Sequence, residues 1–140
     1  MLKRQAKRKI MLISEAFAKF KANQNNVQWS VSAINDCDEL VVSLWNHFFE
    51  KRRKETMTYV DRVSRWNGLG NREFIENIKH AHKNNLVVRA IIAKSKKPEI
   101  IAAGGAANNL GNTFHPKLDW VGEIILWDGD NFEIEFRQEK

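Results

Sequence analysis

The chain has 140 residues, the size of one domain whose core removes roughly two-thirds of its unfolded surface from water. With 43 % hydrophobic and 29 % charged residues it falls outside the disordered class, and no apolar run approaches the ~20 residues that span a bilayer. The formal net charge of +6 favours anionic partners and says nothing about fold.

The chain begins with a basic amphipathic helix, predicted over residues 1–23. Ile10, Ile13, Phe17 and Phe20 recur at spacings of three and four, and residues 4 to 22 hold neither Gly nor Pro. Lys3, Arg4, Lys7, Arg8 and Lys9 crowd its N-terminal end, where the helix dipole favours acids, so stability alone does not account for them. The helix is expected to pack on the rest of the chain or on a second copy, which leaves a homodimer open. The apolar run Ile10, Met11, Leu12, Ile13 is shorter than the ~7–15 residues of an export signal, and the expected setting is cytoplasmic. Cys37 has no second cysteine to pair with, and Asp36 and Asp38 disfavour its thiolate.

Residues 27–33 alternate Val27, Trp29, Val31 and Ala33 with polar neighbours and predict a strand. Asn35, Asp36 and Asp38 turn the chain. Residues 39–50 carry valines and aromatics and read as a second strand, joined through Lys51–Lys54 to a third that runs to Trp66. A helix over 71–84 follows, with Asn71 as its N-cap and Phe74, Ile75, Ile78 and Ala81 as its buried stripe. Residues 86–94 read as a central strand, 99–103 as a short strand and 104–116 as a loop of small and polar residues. The clearest element is a hairpin in which two alternating runs flank Asp128-Gly129-Asp130-Asn131. The expected fold is a single α+β domain over 1–140. Its sheet, over 27–140, is mostly antiparallel, strongly curled or barrel-like, and has six or seven strands, with the N-terminal helix and one crossover helix.

The stretch SRWNGLGNREF, residues 64–74, joins a strand to a helix through Gly68 and Gly70. A helix start can hold an anion, but no Lys-Ser/Thr follows the last glycine and no three-glycine fingerprint is present. The expected role is a turn with positive-φ glycines, with weak anion binding aided by Arg65 and Arg72 as the second reading. His80 and His82 lie two apart on a helix and cannot share a metal. No serine-elbow, zinc-helix or paired-carboxylate nuclease pattern occurs, and Asp128 and Asp130 are explained by their turn. No catalytic residue, cofactor or metal is therefore expected.

Five tryptophans are more informative. Trp29, Trp45 and Trp127 suit a core. Trp66 sits among Arg62, Arg65 and Arg72, where an indole can stack on a planar ligand. The expected function is a non-catalytic nucleic-acid-binding domain, a reader of unstacked or modified bases, with DNA ahead of RNA and no membrane partner. Phosphate contacts are expected from Lys51, Arg52, Arg53, Lys54, Arg62, Arg65 and Arg72, and base contacts from Trp66, Asn108, Asn109 and Asn112. The alternative is a small-molecule or peptide-binding module with a pocket inside the curled sheet, lined by Trp45, His47 and Trp127. A hydrolytic enzyme using His47 or His115 as base ranks last, since it needs a carboxylate beside one of them.

Overall fold

The computed structural model describes residues 11–104 and 111–139. The N-terminal cations up to Lys9, and Asn108 and Asn109, lie outside those residues. In chain order the elements are α1 (Ile13–Ala18), β1 (Ser32–Ile34), β2 (Leu40–Trp45), β3 (Phe49–Glu50), β4 (Thr56–Arg62), α2 (Leu69–Lys83), β5 (Val88–Lys94), α3 (Pro98–Ala102), β6 (Thr113–Pro116), β7 (Trp120–Trp127) and β8 (Asn131–Gln138). Short 3₁₀ turns cover Asn46–Phe48 and Val63–Arg65.

The eight strands form one sheet in the order β1-β2-β5-β7-β8-β4-β3, with β6 pairing the far end of β5. Every pairing is antiparallel except β2 with β5, which makes the sheet mixed. The parallel pair needs a crossover, and α2 supplies its helical part.

Connectivity forces the curl. β2 and β3 are separated across the sheet by β5, β7, β8 and β4, a span of roughly 24 Å in a flat sheet with strands about 4.8 Å apart. Only Asn46–Phe48 join them along the chain, and that short turn reaches no more than about 14 Å even if extended. The sheet therefore bends into a half-barrel that brings its two ends together. Phe49 of β3 meets Tyr59, Trp120 and Phe136 at ring centroid distances of 5.1, 5.9 and 6.0 Å.

Two apolar clusters result. The larger packs Phe74, Ile78 and Ala81 of α2 against Leu40, Leu44, Val88, Phe132, Ile134 and Phe136 of the sheet. The smaller packs Ala16 and Phe17 of α1, with Phe20, against Ala33, Val41 and Ile91. The described part of the N-terminal helix thus packs on the sheet of its own chain. It is also shorter than expected. Lys21 adopts φ +57°, and the Ala22 N–H reaches back to the Phe17 carbonyl at 3.1 Å, a C-terminal cap that ends the helix before residue 23.

Three local readings are corrected. Residues 26–29 form a turn, and the first strand is Ser32–Ile34. Asn26 Oδ1 accepts the Gln28 N–H at 2.8 Å, and Ser30 bonds Asn26 through both its N–H and its Oγ at 2.9 Å. These local bonds outcompete the alternating pattern. Residues within 98–102 are helical, because Pro98 at the first helical position presets φ. The expected loop also contains β6, which adds an antiparallel partner to β5. The α+β class, the curled sheet, the central β5, α2 and the β7–β8 hairpin agree with the sequence reading.

Gly122 of β7 lies over the Phe136 ring, and a Cβ there would fall 2.5 Å from two ring carbons. Phe136 is a core residue that cannot retreat. Gly122→Ala is expected to cost about 1–3 kcal/mol through overpacking, read as a lower urea midpoint at unchanged denaturant slope.

Candidate functional site

A cavity of about 610 Å³ opens at the mouth of the half-barrel. Its floor is Leu44, Phe74 and Phe132 of the core, and its walls include Trp29, Trp45 and Trp66. Gln24, Gln28, Asn67 and Asn71 supply side-chain amides around it, and among the described residues Arg65 is the one charged side chain in the lining. Volumes of ~300–1,000 Å³ are typical of small-ligand sites.

The glycine stretch builds one wall. α2 starts at Leu69 and Gly68 is its N-cap with φ +123°, a conformation that favours glycine. Gly70 is helical, and its lack of a side chain lets the Trp29 carbonyl press directly on the helix start. Asn71 is not the cap: it lies inside α2, nearly buried, and its amide donates to the carbonyls of Val63 at 3.0 Å and Trp66 at 2.8 Å. It therefore clamps the loop whose end carries Trp66. Trp66 is half-buried, lying 5.8 Å from the Phe74 ring while still facing the cavity.

Behind the wall sits a buried ionic cluster. Asp61 accepts four hydrogen bonds, from the Tyr59 hydroxyl at 2.9 Å, the Arg62 N–H at 2.8 Å, and Arg65 Nε and Nη2 at 2.8 and 2.9 Å. The remaining Arg65 nitrogen, Nη1, donates to the Ile101 carbonyl at 2.8 Å, satisfying the C-terminal end of α3. The guanidinium lies between the rings of Phe48 and Trp66 at 4.7 and 4.8 Å. The side chains of Arg65 and Asp61 are only 11 % and 3 % exposed, so this pair is shielded from water and salt. Gly104, φ +82°, packs against the Arg65 carbonyl, where a Cβ would fall 2.5 Å away. One arginine thus ties β4, α3 and the cavity rim together.

The expected contact residues divide. Arg65, Trp66 and Asn112 meet at the cavity. Arg62 and Arg72 are exposed, at the end of β4 and in the first turn of α2. Lys51–Lys54 lie at the opposite end of β4 from Arg62, about 20 Å away along a seven-residue strand. Two of them are already engaged: Arg52 bonds Glu133 at 2.6 Å and Glu50 at 3.1 Å, and Arg53 lies 3.9 Å from Glu135. The structure does not bring these cations to the same place as Trp66.

Of the trio expected in an internal pocket, Trp45 lines the cavity, while Trp127 packs on the core and His47 lies tilted against Phe48 at a centroid distance of 4.3 Å. Desolvation, then the Arg65 charge, hold the His47 imidazole below its ordinary pKa against the opposing pull of Asp61. Sequence reading missed the part played by Trp29, which it assigned to a strand, and the buried pairing of Arg65. Asp61 and Arg65, four apart, meet because a 3₁₀ turn over Val63–Arg65 ends β4 where the sequence reading continued the strand to Trp66. Among the described residues no three His, Cys, Asp or Glu side chains gather as metal ligands, and no helix is long and apolar enough to cross a membrane. No family model, curated protein or solved structure matches this chain.

Tyr59 is the single tyrosine, so its ionisation can be followed alone. Burial, then the Asp61 charge, push its pKa well above the ordinary value of 10.0. The folded state holds this proton more tightly than the unfolded one, so the stability it contributes is intact below about pH 10 and lost as pH rises through the tyrosine range. Phenolate absorbance is expected to appear together with loss of the folded circular-dichroism signal. A hyperbolic titration at an ordinary pKa in folded protein would contradict the burial. Asp61→Ala leaves Arg65 charged and unpaired and is expected to cost about 3–5 kcal/mol in denaturant unfolding, and Asp61→Leu with Arg65→Met to recover most of it.

Proposed function

We propose that this chain is a cytoplasmic, non-catalytic nucleic-acid-binding domain that takes an unstacked base into the tryptophan-lined cavity. The observation that carries the reading is the convergence of three indoles and several side-chain amides on one space of ligand size. Indole faces accept any planar heteroaromatic ring by stacking, and amides can pair with either donors or acceptors on its edge. A duplex base cannot reach such a space without leaving its stack, which restricts the partner to single-stranded or locally opened nucleic acid. The exposed guanidiniums of Arg62 and Arg72 have no ion-pair partner among the described residues and suit the flanking phosphates. Arg65 serves by positioning Trp66.

A second reading, a module for a free planar small molecule, draws support from a different observation. Arg52, Arg53 and Arg65 are engaged by carboxylates, which leaves fewer cations to follow a phosphate backbone.

Tryptophan fluorescence titrations with single-stranded oligonucleotides and free nucleosides, across a salt series, separate the two. Oligonucleotides are expected to bind more tightly at low salt, with Trp66→Ala weakening them by about 1–3 kcal/mol. Arg62→Ala and Arg72→Ala should each reduce the salt slope by about one. Nucleoside binding without salt dependence would favour the free-ligand module. Silence toward every oligonucleotide at about 50 mM salt would remove the nucleic-acid reading.

A further inference from the structure

The pleat of β6 sends Phe114 toward α1 and the large cavity and turns His115 to the other face of the sheet. His115 is registered opposite Ile92 of β5, and Lys94, two residues on, shares that face. The turn after β6 adds Lys117, whose ammonium lies 5.3 Å over the Trp120 ring, and the end of β2 adds Asn46. These side chains surround a second cavity of about 210 Å³, separate in its lining from the first. No carboxylate lines it, and neither lysine has an ion-pair partner among the described residues.

We propose that Asn46, Lys94, His115, Lys117 and Trp120 form a binding site for a phosphate group. Two ammoniums at one cavity repel each other and disfavour a third positive charge on His115, and an anion among them offsets both effects. Burial, then the charges of Lys94 and Lys117, hold the His115 imidazole below its ordinary pKa. One ring nitrogen of His115, Nε2, is engaged with Thr113 Oγ1 at 3.0 Å, which leaves Nδ1 for the ligand. Lysine ammoniums bind phosphate as point charges, and the Asn46 amide adds a neutral donor. The same chemistry suits a phosphodiester of a nucleic-acid strand and a free phosphate. The site rests on this charge cluster, not on the base-reading cavity.

The test follows the His115 ring signals by NMR while inorganic phosphate is added, with chloride at matched ionic strength as reference. Phosphate is expected to shift them saturably toward the protonated form, with chloride nearly inert. Lys94→Ala with Lys117→Ala is expected to weaken phosphate by about tenfold or more while amide spectra confirm an intact fold. A short oligonucleotide that displaces phosphate assigns the site to a strand backbone. An oligonucleotide that fails to compete while phosphate still saturates assigns it to a free phosphate. The proposal is overturned if chloride reproduces the phosphate response, or if the folded double variant binds phosphate like the parent chain. Neither result depends on Trp66, so loss of the base-reading function would leave it standing.

Discussion

Asp61 and Arg65 form a buried pair in which the carboxylate accepts four hydrogen bonds and the guanidinium makes three, and much of the architecture is arranged around it. The carboxylate draws in the Tyr59 hydroxyl and the Arg62 amide, and the guanidinium reaches the Ile101 carbonyl of α3. A charge so far from water is tolerable only when it is paired and hydrogen-bonded. The gain lies in specificity of arrangement. The guanidinium contacts the faces of both Phe48 and Trp66, and the Trp66 ring is a wall of the large cavity. The same arginine that sequence alone assigns to phosphate contact is therefore a structural rivet.

Elements with one dominant local signal were legible from residue types. The β7–β8 hairpin has a strictly alternating β8 and a turn whose Asp128 carboxylate bonds the N–H groups of Asp130 and Asn131. α2 has its apolar stripe and basic last turn. Legibility failed where side chains and backbone compete locally. Val27 and Trp29 alternate like a strand, yet Asn26 and Ser30 capture the backbone first. Ile100 and Ile101 favour a strand, yet Pro98 starts a helix. The parallel β2–β5 pair was out of reach, because it joins strands with β3, β4 and α2 between them in the chain.

For the site, residue types were informative and partners were not. Trp66 and Asn112 were identifiable as candidates and do face one cavity. The basic run Lys51–Lys54 looked like a phosphate contact because two of its three glutamate partners, Glu133 and Glu135, are far away in sequence, on β8. The reverse holds for Lys94, His115 and Lys117: they are unremarkable in sequence and become a cluster only through the β5–β6 register. In both cases the deciding fact is which strand lies beside which.

The position of β8 carries a consequence for synthesis. The last strand in chain order is an interior one, paired along its length with β4 on one side and β7 on the other. Until it emerges from the ribosome, those two neighbours each present a bare row of amides and carbonyls, and the Phe132, Ile134 and Phe136 side chains that fill the core are missing. Closure of the half-barrel therefore waits for residues 131–138, and a nascent chain stalled short of residue 131 exposes both strand edges and an unfilled core.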